Sequence, residues 1–301
     1  MSFEPILLAP EEELEEIYPF RRVWRTAWIE AILLLIAVLA IYALTEIFSV
    51  IPADAREPAL NVGIASLPLA LWLLFSYRGE RRAVQPRPGL MGVMVLGVLV
   101  ANGVAVPLEE RLFVPDRWLP TAGFFGRVLG YTFTVGFTAE FLKYAVLRYA
   151  AWPHYFHQRL DGIAYALTVS IGFASVLNLR VALYTDATVS ATALRVASIT
   201  FSHLAVGLIM GYFLVELNIG RPPVFWISMG LMLASLLSGL YYGFRGTAII
   251  SGLSPEGTGS APIRGLALAF GFVAVMFLSI AFIVQSADAR AEALTGRRQT
   301  L

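Results

Sequence analysis

Residues 125–147 read FGRVLGYTFTVGFTAEFLKYAVL. At about 1.5 Å of rise per residue the stretch is long enough to cross a hydrocarbon core of about 30 Å. Glu140 and Lys143 nevertheless sit inside it. Lys143 is the single lysine among 22 basic residues, the rest being arginines. A desolvated lysine can shed its proton, whereas arginine keeps its charge and favours a planar, bidentate partner. At spacing i, i+3 the two side chains share one helix face, and an ionisable pair at membrane depth is by default a functional-site hypothesis. A lone lysine is also the simplest way to neutralise a buried carboxylate, and the pair alone does not choose between the two readings.

The rest of the chain supplies the setting. It is 58% hydrophobic and 14% charged, with a mean hydropathy of +0.72, against roughly 25% charged residues in soluble domains. This composition predicts an all-α, polytopic helical membrane protein. Without cysteine there are no disulfides, thiolate nucleophiles or cysteine-bound metals, which leaves carboxylates, three histidines and hydroxyls as the available chemistry. A net charge of +1, with no basic stripe apart from the loops, argues against a nucleic-acid partner.

Apolar windows of about 20 residues predict eight spans. They run near Trp28–Ile51, Leu60–Tyr77, Leu90–Val106, Phe125–Leu147, Ile163–Leu183, Val196–Leu217, Val224–Tyr242 and Gly265–Gln285. The expected organisation is an acidic and basic interfacial segment over residues 1–26, a helical membrane domain over 27–286 and a short tail over 287–301. Residues 1–20 carry five glutamates between positions 11 and 16 and no apolar h-region, so no cleavable signal peptide is expected. An inside N-terminus puts thirteen loop arginines on the cytoplasmic side and eight on the other, which predicts cytoplasmic termini in a bacterial inner, or plasma, membrane. The stretch SGLSPEGTGSAPIRG from Ser251 to Gly265 reads as an external loop.

Glycine pairs at Gly126 and Gly130, Gly207 and Gly211, and Gly239 and Gly243 can bring helices close together, here within one chain. The acidic run from Glu11 to Glu16 reads as a solvated segment. Glu30 and Glu46 lie near the ends of the first span, where snorkelling or local water accommodates them. His154 and His157 fall in the loop PHYFHQRLDG and read as interfacial residues, not ligands. That leaves Glu140, Lys143, Asn178, Arg180 and His203 inside the middle spans, with Asp161 opening one.

Three segments carry a resemblance: GFTAEFLK at 136–143, DGIAYALTVSIGFASVLN at 161–178 and HLAVGLIMGY at 203–212. In order and spacing they are similar to the signature segments of PrsW-type intramembrane endopeptidases, which are related to the glutamate-dependent CAAX prenyl endopeptidases. The family pattern has paired glutamates with a lysine three residues on, then DG-x-x-Y leading to GFA-x-x-E-N, then a histidine before small residues and Gly-Tyr. The resemblance implies a catalytic set of Glu140, Lys143 and His203, and a substrate-binding role for Asp161 and Asn178, within a core at 124–218. Two carboxylates of the pattern are replaced, by Ala139 and Leu177. Glu109 and Glu110 do not readily substitute for them, because Pro107 and Pro115 place that pair in a loop.

Peptide hydrolysis in a membrane needs a base for water, a group that stabilises the oxyanion and a site closed to lipid. Glu140 is the candidate base and His203 its orienter, but an ammonium beside a carboxylate favours its charged form and weakens it as a base. Glu140 and His203 supply two ligands where catalytic zinc takes three, so neither a metal nor another cofactor is expected. By rise per residue, Asn178 and His203 fall about 8 Å from the external edge and Glu140 about 15–20 Å, a gap on the order of 10 Å that a kink at Gly136 would close. The expectation is a degenerate, non-proteolytic relative that binds a transmembrane segment of another protein, or a membrane complex, within the lipid bilayer. The alternatives are an active endopeptidase using Glu140 with His203, and a proton or solute conductor built on the ion pair.

Overall fold

The computed structural model describes residues 20–83, 86–220, 222–250 and 262–299, with side chains over the same ranges except 20–22, 116, 243–250, 262–266, 268–269 and 288–299. The glutamates at 11–16, Arg221 and most of the loop from Ser251 lie outside the described residues. Among the described residues every regular element is helical. Helix α1 (Phe20–Tyr42) ends in a π-helical turn, Ala43–Ile47. Helix α2 (Pro58–Trp72) continues through a π-turn, Leu73–Tyr77, to Arg78–Arg81. Helix α3 (Leu90–Val100) is followed by π-turns at Ala101–Ala105 and Leu108–Phe113. Helix α4 is built of Phe124–Tyr131, a π-turn at Thr132–Gly136 and Phe137–Ala150. Then come α5 (Arg159–Tyr184), α6 (Val189–Ile219), α7 (Trp226–Ile250) and α8 (Pro262–Gln299).

Among the described residues six helices are long and apolar enough to cross a membrane: Val23–Ile47, Pro58–Arg81, Leu90–Phe113, Arg159–Tyr184, Val189–Ile219 and Phe270–Ala287. Trp226–Tyr242 is a shorter apolar helix. Helix α4 is helical throughout but carries Arg127, Glu140, Lys143 and Arg148. All eight expected segments are therefore helical, and the protein is an all-α polytopic membrane protein. A lipid core offers no water to backbone N–H and C=O groups, and helices satisfy them internally.

Successive helices alternate in direction, and tight contacts tie the loops at each end. At one end Arg56 pairs with Asp186 at 2.5 Å, Val189 N donates to Ala55 O, and Asn61 Nδ2 donates to Ala187 O. At the other, Arg159 pairs with Glu216 at 2.8 Å and Asn218 Nδ2 donates to Phe156 O at 2.7 Å.

The antiparallel pair α5 and α6 forms the centre. Within their most apolar windows 72% of α5 and 89% of α6 is buried, against 28% for α1 and 22% for α8. Small residues permit the approach: a Cβ on Gly162 would lie 2.5 Å from Gly211 O, and one on Gly207 would lie against Ser170 Oγ. In lipid, close packing of this kind replaces the hydrophobic drive between helices. Gly239 of α7 likewise meets Thr132 and Val128 of α4, and Gly136 meets Ser235 O of α7. The glycine spacing therefore serves packing inside the chain.

Helix α6 starts at Val189, where hydropathy alone placed it near Val196. Thr188 caps it, its Oγ1 accepting from Ala191 N at 3.4 Å. The polar opening SATALR hides a helical start that a cap reveals. Glu30 also differs from expectation. It is 9% exposed, and its carboxylate accepts from Ser76 N at 3.0 Å instead of facing water.

Candidate functional site

The π-turn at Thr132–Gly136 lies one turn before Glu140 and ends at the predicted kink residue. Beyond it, Glu140 and Lys143 point inward from α4. Lys143 Nζ lies 2.6 Å from Glu140 Oε1, and each side chain is 1% exposed. Helix α5 supplies Phe173, whose ring centroid is 6.0 Å from Lys143 Nζ. The same ring lies beside His203 of α6, with ring centroids 5.4 Å apart at 40°. The Lys143 ammonium is thus within Coulombic range of the imidazole. Asn178 Nδ2 donates to Thr200 Oγ1 at 3.0 Å, one helical turn before His203.

Three helices therefore bring Glu140, Lys143, Asn178 and His203 into one buried region. With α6 starting at Val189, His203 lies about 21 Å from that end of its helix and Glu140 about 24 Å from Phe124, so the depth gap expected from hydropathy largely closes. Glu140 Oε2, Asn178 Oδ1 and His203 Nε2 are buried without a hydrogen-bond partner. Unpaired buried polar atoms cost on the order of 1–3 kcal/mol each, and such atoms gathered in one place mark a site for polar chemistry more than for packing.

Asp161 lies elsewhere. It sits about 25 Å along α5 from Asn178, where Oδ1 accepts from Arg87 Nε at 2.7 Å and Oδ2 accepts from His157 N and Gln158 N at 2.8 Å. These contacts close a capping box on α5. Arg87 is also held by Glu80 at 3.0 Å, and Tyr165 OH donates to Pro88 O at 2.5 Å. The run Asp161, Gly162, Tyr165 thus anchors the start of α5 on the α2–α3 connection and lets α6 approach. Asp161 and Asn178, grouped by sequence, stand at opposite ends of one helix. Arg180 pairs with Glu110, and Glu109 and Glu110 lie in a π-turn that continues the α3 span, not in a loop. His154 and His157 are exposed.

Ala139 and Leu177 fall together. Both belong to an apolar cluster with Ala101, Ala105, Val106, Phe173 and Val176, between α3, α4 and α5. Thr200 is not among the residues the sequence marks, and Phe173 is marked only as part of the GFA motif, not as a site residue. Thr200 has a legible signal, one turn from His203 on the same face, whereas the motif gives Phe173 no stated contact with the ion pair.

The architecture and the buried ionisable cluster define a polytopic membrane protein with a polar site enclosed among its central helices. Residues 85–255 match the family described as PrsW family intramembrane metalloprotease, and the chain belongs to that family. It is 37% identical over 181 residues to a protein named Protease PrsW from Halalkalibacterium halodurans, covering 59% of this chain and 79% of that one. It is 32% identical over 109 residues to Protease PrsW of Bacillus subtilis, 35% of this chain and 49% of the relative. To Protease PrsW of Oceanobacillus iheyensis it is 33% identical over 114 residues, 36% and 51%. No solved structure matches the chain.

The family description implies a metal, and the residues present do not fit one. Among the described residues no group of three His, Cys, Asp or Glu is placed to hold an ion. Glu140 is already paired with an ammonium, and the two positions at which the family pattern has further carboxylates are apolar. A catalytic zinc takes three protein ligands and an open position. No step is derived through a metal.

Proposed function

We propose that this chain is a degenerate, non-proteolytic member of the PrsW family that keeps the scaffold and binds a transmembrane segment of another membrane protein or complex. One observation carries the reading: Ala139 and Leu177 share an apolar cluster next to a Glu140 whose charge is already matched by Lys143. A base must take a proton from water and be poised to give it up. A carboxylate locked at 2.6 Å to an ammonium, with alanine and leucine replacing its acidic neighbours, serves as an anchor of α4 instead. Intramembrane recognition needs none of the lost groups, because helices associate through packing and interhelical hydrogen bonds.

One specific observation favours an active endopeptidase as the second reading: Glu140 Oε2 and His203 Nε2 are both unpartnered in the same region. The deciding experiment reconstitutes the protein with a panel of single-span substrates and compares it with Glu140→Gln and with Ala139→Glu/Leu177→Glu. The proposal expects no cleavage by the natural chain and a gain of cleavage in the double variant. Cleavage by the natural chain that disappears in Glu140→Gln, while the variant still folds, overturns it.

A further inference from the structure

We propose that the cleft between α1 and α2, at the end of the bundle where α1 begins, binds the phosphate of an anionic phospholipid such as phosphatidylglycerol. The cleft has a volume of about 400 Å³ and is lined by Arg25, Thr26, Ile29, Leu74, Phe75, Arg78, Gly79 and Arg82. That size falls in the range of small-ligand sites.

Its chemistry is ordered along the membrane normal. On α2, Leu74 and Arg78 lie four residues apart on one face, with Leu74 deeper, and Arg82 follows directly after the last residue of the helix. Antiparallel α1 mirrors the order, with Ile29 deeper and Arg25 nearer its start. Apolar side chains thus lie at acyl-chain depth and guanidinium groups at headgroup depth. The two helices are joined beside the cleft by Ser76 Oγ donating to Thr26 Oγ1 at 3.2 Å and Ser76 N donating to Glu30 Oε1 at 3.0 Å.

The charge balance at this end points the same way. Arg87 is held by Glu80 and Asp161, Arg159 by Glu216, and the Arg148 guanidinium lies 3.5 Å over the Trp152 ring. Arg25, Arg78 and Arg82 make no ion pair among the described residues. Free guanidinium groups around one cleft match a phosphate through paired N–H···O bonds. Basic pockets between membrane helices are suited to anionic headgroups.

The test extracts the full chain from vesicles of mixed phosphatidylglycerol and phosphatidylcholine and counts retained lipid by native mass spectrometry. Wild type is expected to retain phosphatidylglycerol selectively. Arg25→Gln/Arg78→Gln/Arg82→Gln should lose the preference, by roughly fivefold per arginine, while Arg56→Gln, at the opposite end of the bundle, keeps it. Equal retention of both lipids, or retention unchanged in the glutamine variant, overturns the proposal. So does displacement of the lipid by inorganic phosphate alone, which assigns the cleft to a free anion. Retention that appears only when Glu11, Glu12, Glu13, Glu15 and Glu16 are all changed to Gln also overturns it, and gives the cleft to the chain's own acidic segment.

Discussion

At the scale of single residues, Lys143 and Glu140 form one buried ion pair. Both side chains are 1% exposed, and removing one partner of such a pair leaves an uncompensated buried charge that costs about 3–5 kcal/mol. Lys143→Met is therefore expected to destabilise the protein by that amount, read from unfolding in detergent. Glu140→Gln/Lys143→Met, which removes both charges, should recover most of the loss. Additive losses would mean that the two groups are supported separately. The pair itself was legible in the sequence, because one lysine three residues after a glutamate in an apolar run admits few arrangements. Its surroundings were not. Phe173 belongs to the GFA motif, but only the packing of three helices brings its ring close to both an ammonium and an imidazole.

At the scale of elements, the crossing of α5 and α6 depends on absent side chains. A Cβ on Gly162 would stand 2.5 Å from Gly211 O and 2.6 Å from Val215 Cβ, and backbone cannot yield as a side-chain tip does. Gly162→Ala should cost about 1–3 kcal/mol through overpacking and lower the yield of folded protein. Gly63→Ala, on α2 with nothing within 4 Å of its new methyl, should be neutral or raise stability by up to about 1 kcal/mol. Size-exclusion profiles and thermal unfolding of both variants check this, and equal behaviour would show that the α5–α6 crossing tolerates separation. The sequence made the apolar helices plain but blurred their ends, since hydropathy sees lipid and not caps. Helix α6 gained its first turns from Thr188, and α5 gained its start from the Gln158–Asp161 box. Asp161, which resemblance grouped with the substrate, is in the structure a helix cap held by Arg87.

At the scale of the whole molecule, the threading fixes which loops share an end but not which side that end faces. The arginine bias predicts that the Asp186 and Arg56 end is external. Because the chain has no cysteine, single replacements report this directly. Asp54→Cys should react with a membrane-impermeant maleimide in intact cells, and His154→Cys only after lysis. Both native residues are exposed in their loops. The opposite pattern would invert the molecule.

The enclosure of α6 reaches into how the protein is made. A helix with 89% of its window covered by other helices has almost no surface suited to lipid, and it bears Thr192, Ser198, Thr200, Ser202 and His203. It leaves the ribosome before α7 and α8, yet Ser198 bonds to Tyr241 of α7 and Phe201 packs on Phe270 of α8. During synthesis α6 must therefore wait, packed only against the helices before it, until the last two helices arrive to enclose it. A chain truncated before α7 should then be recognised as unfinished and degraded, although every residue of the Glu140 and His203 region has already been translated.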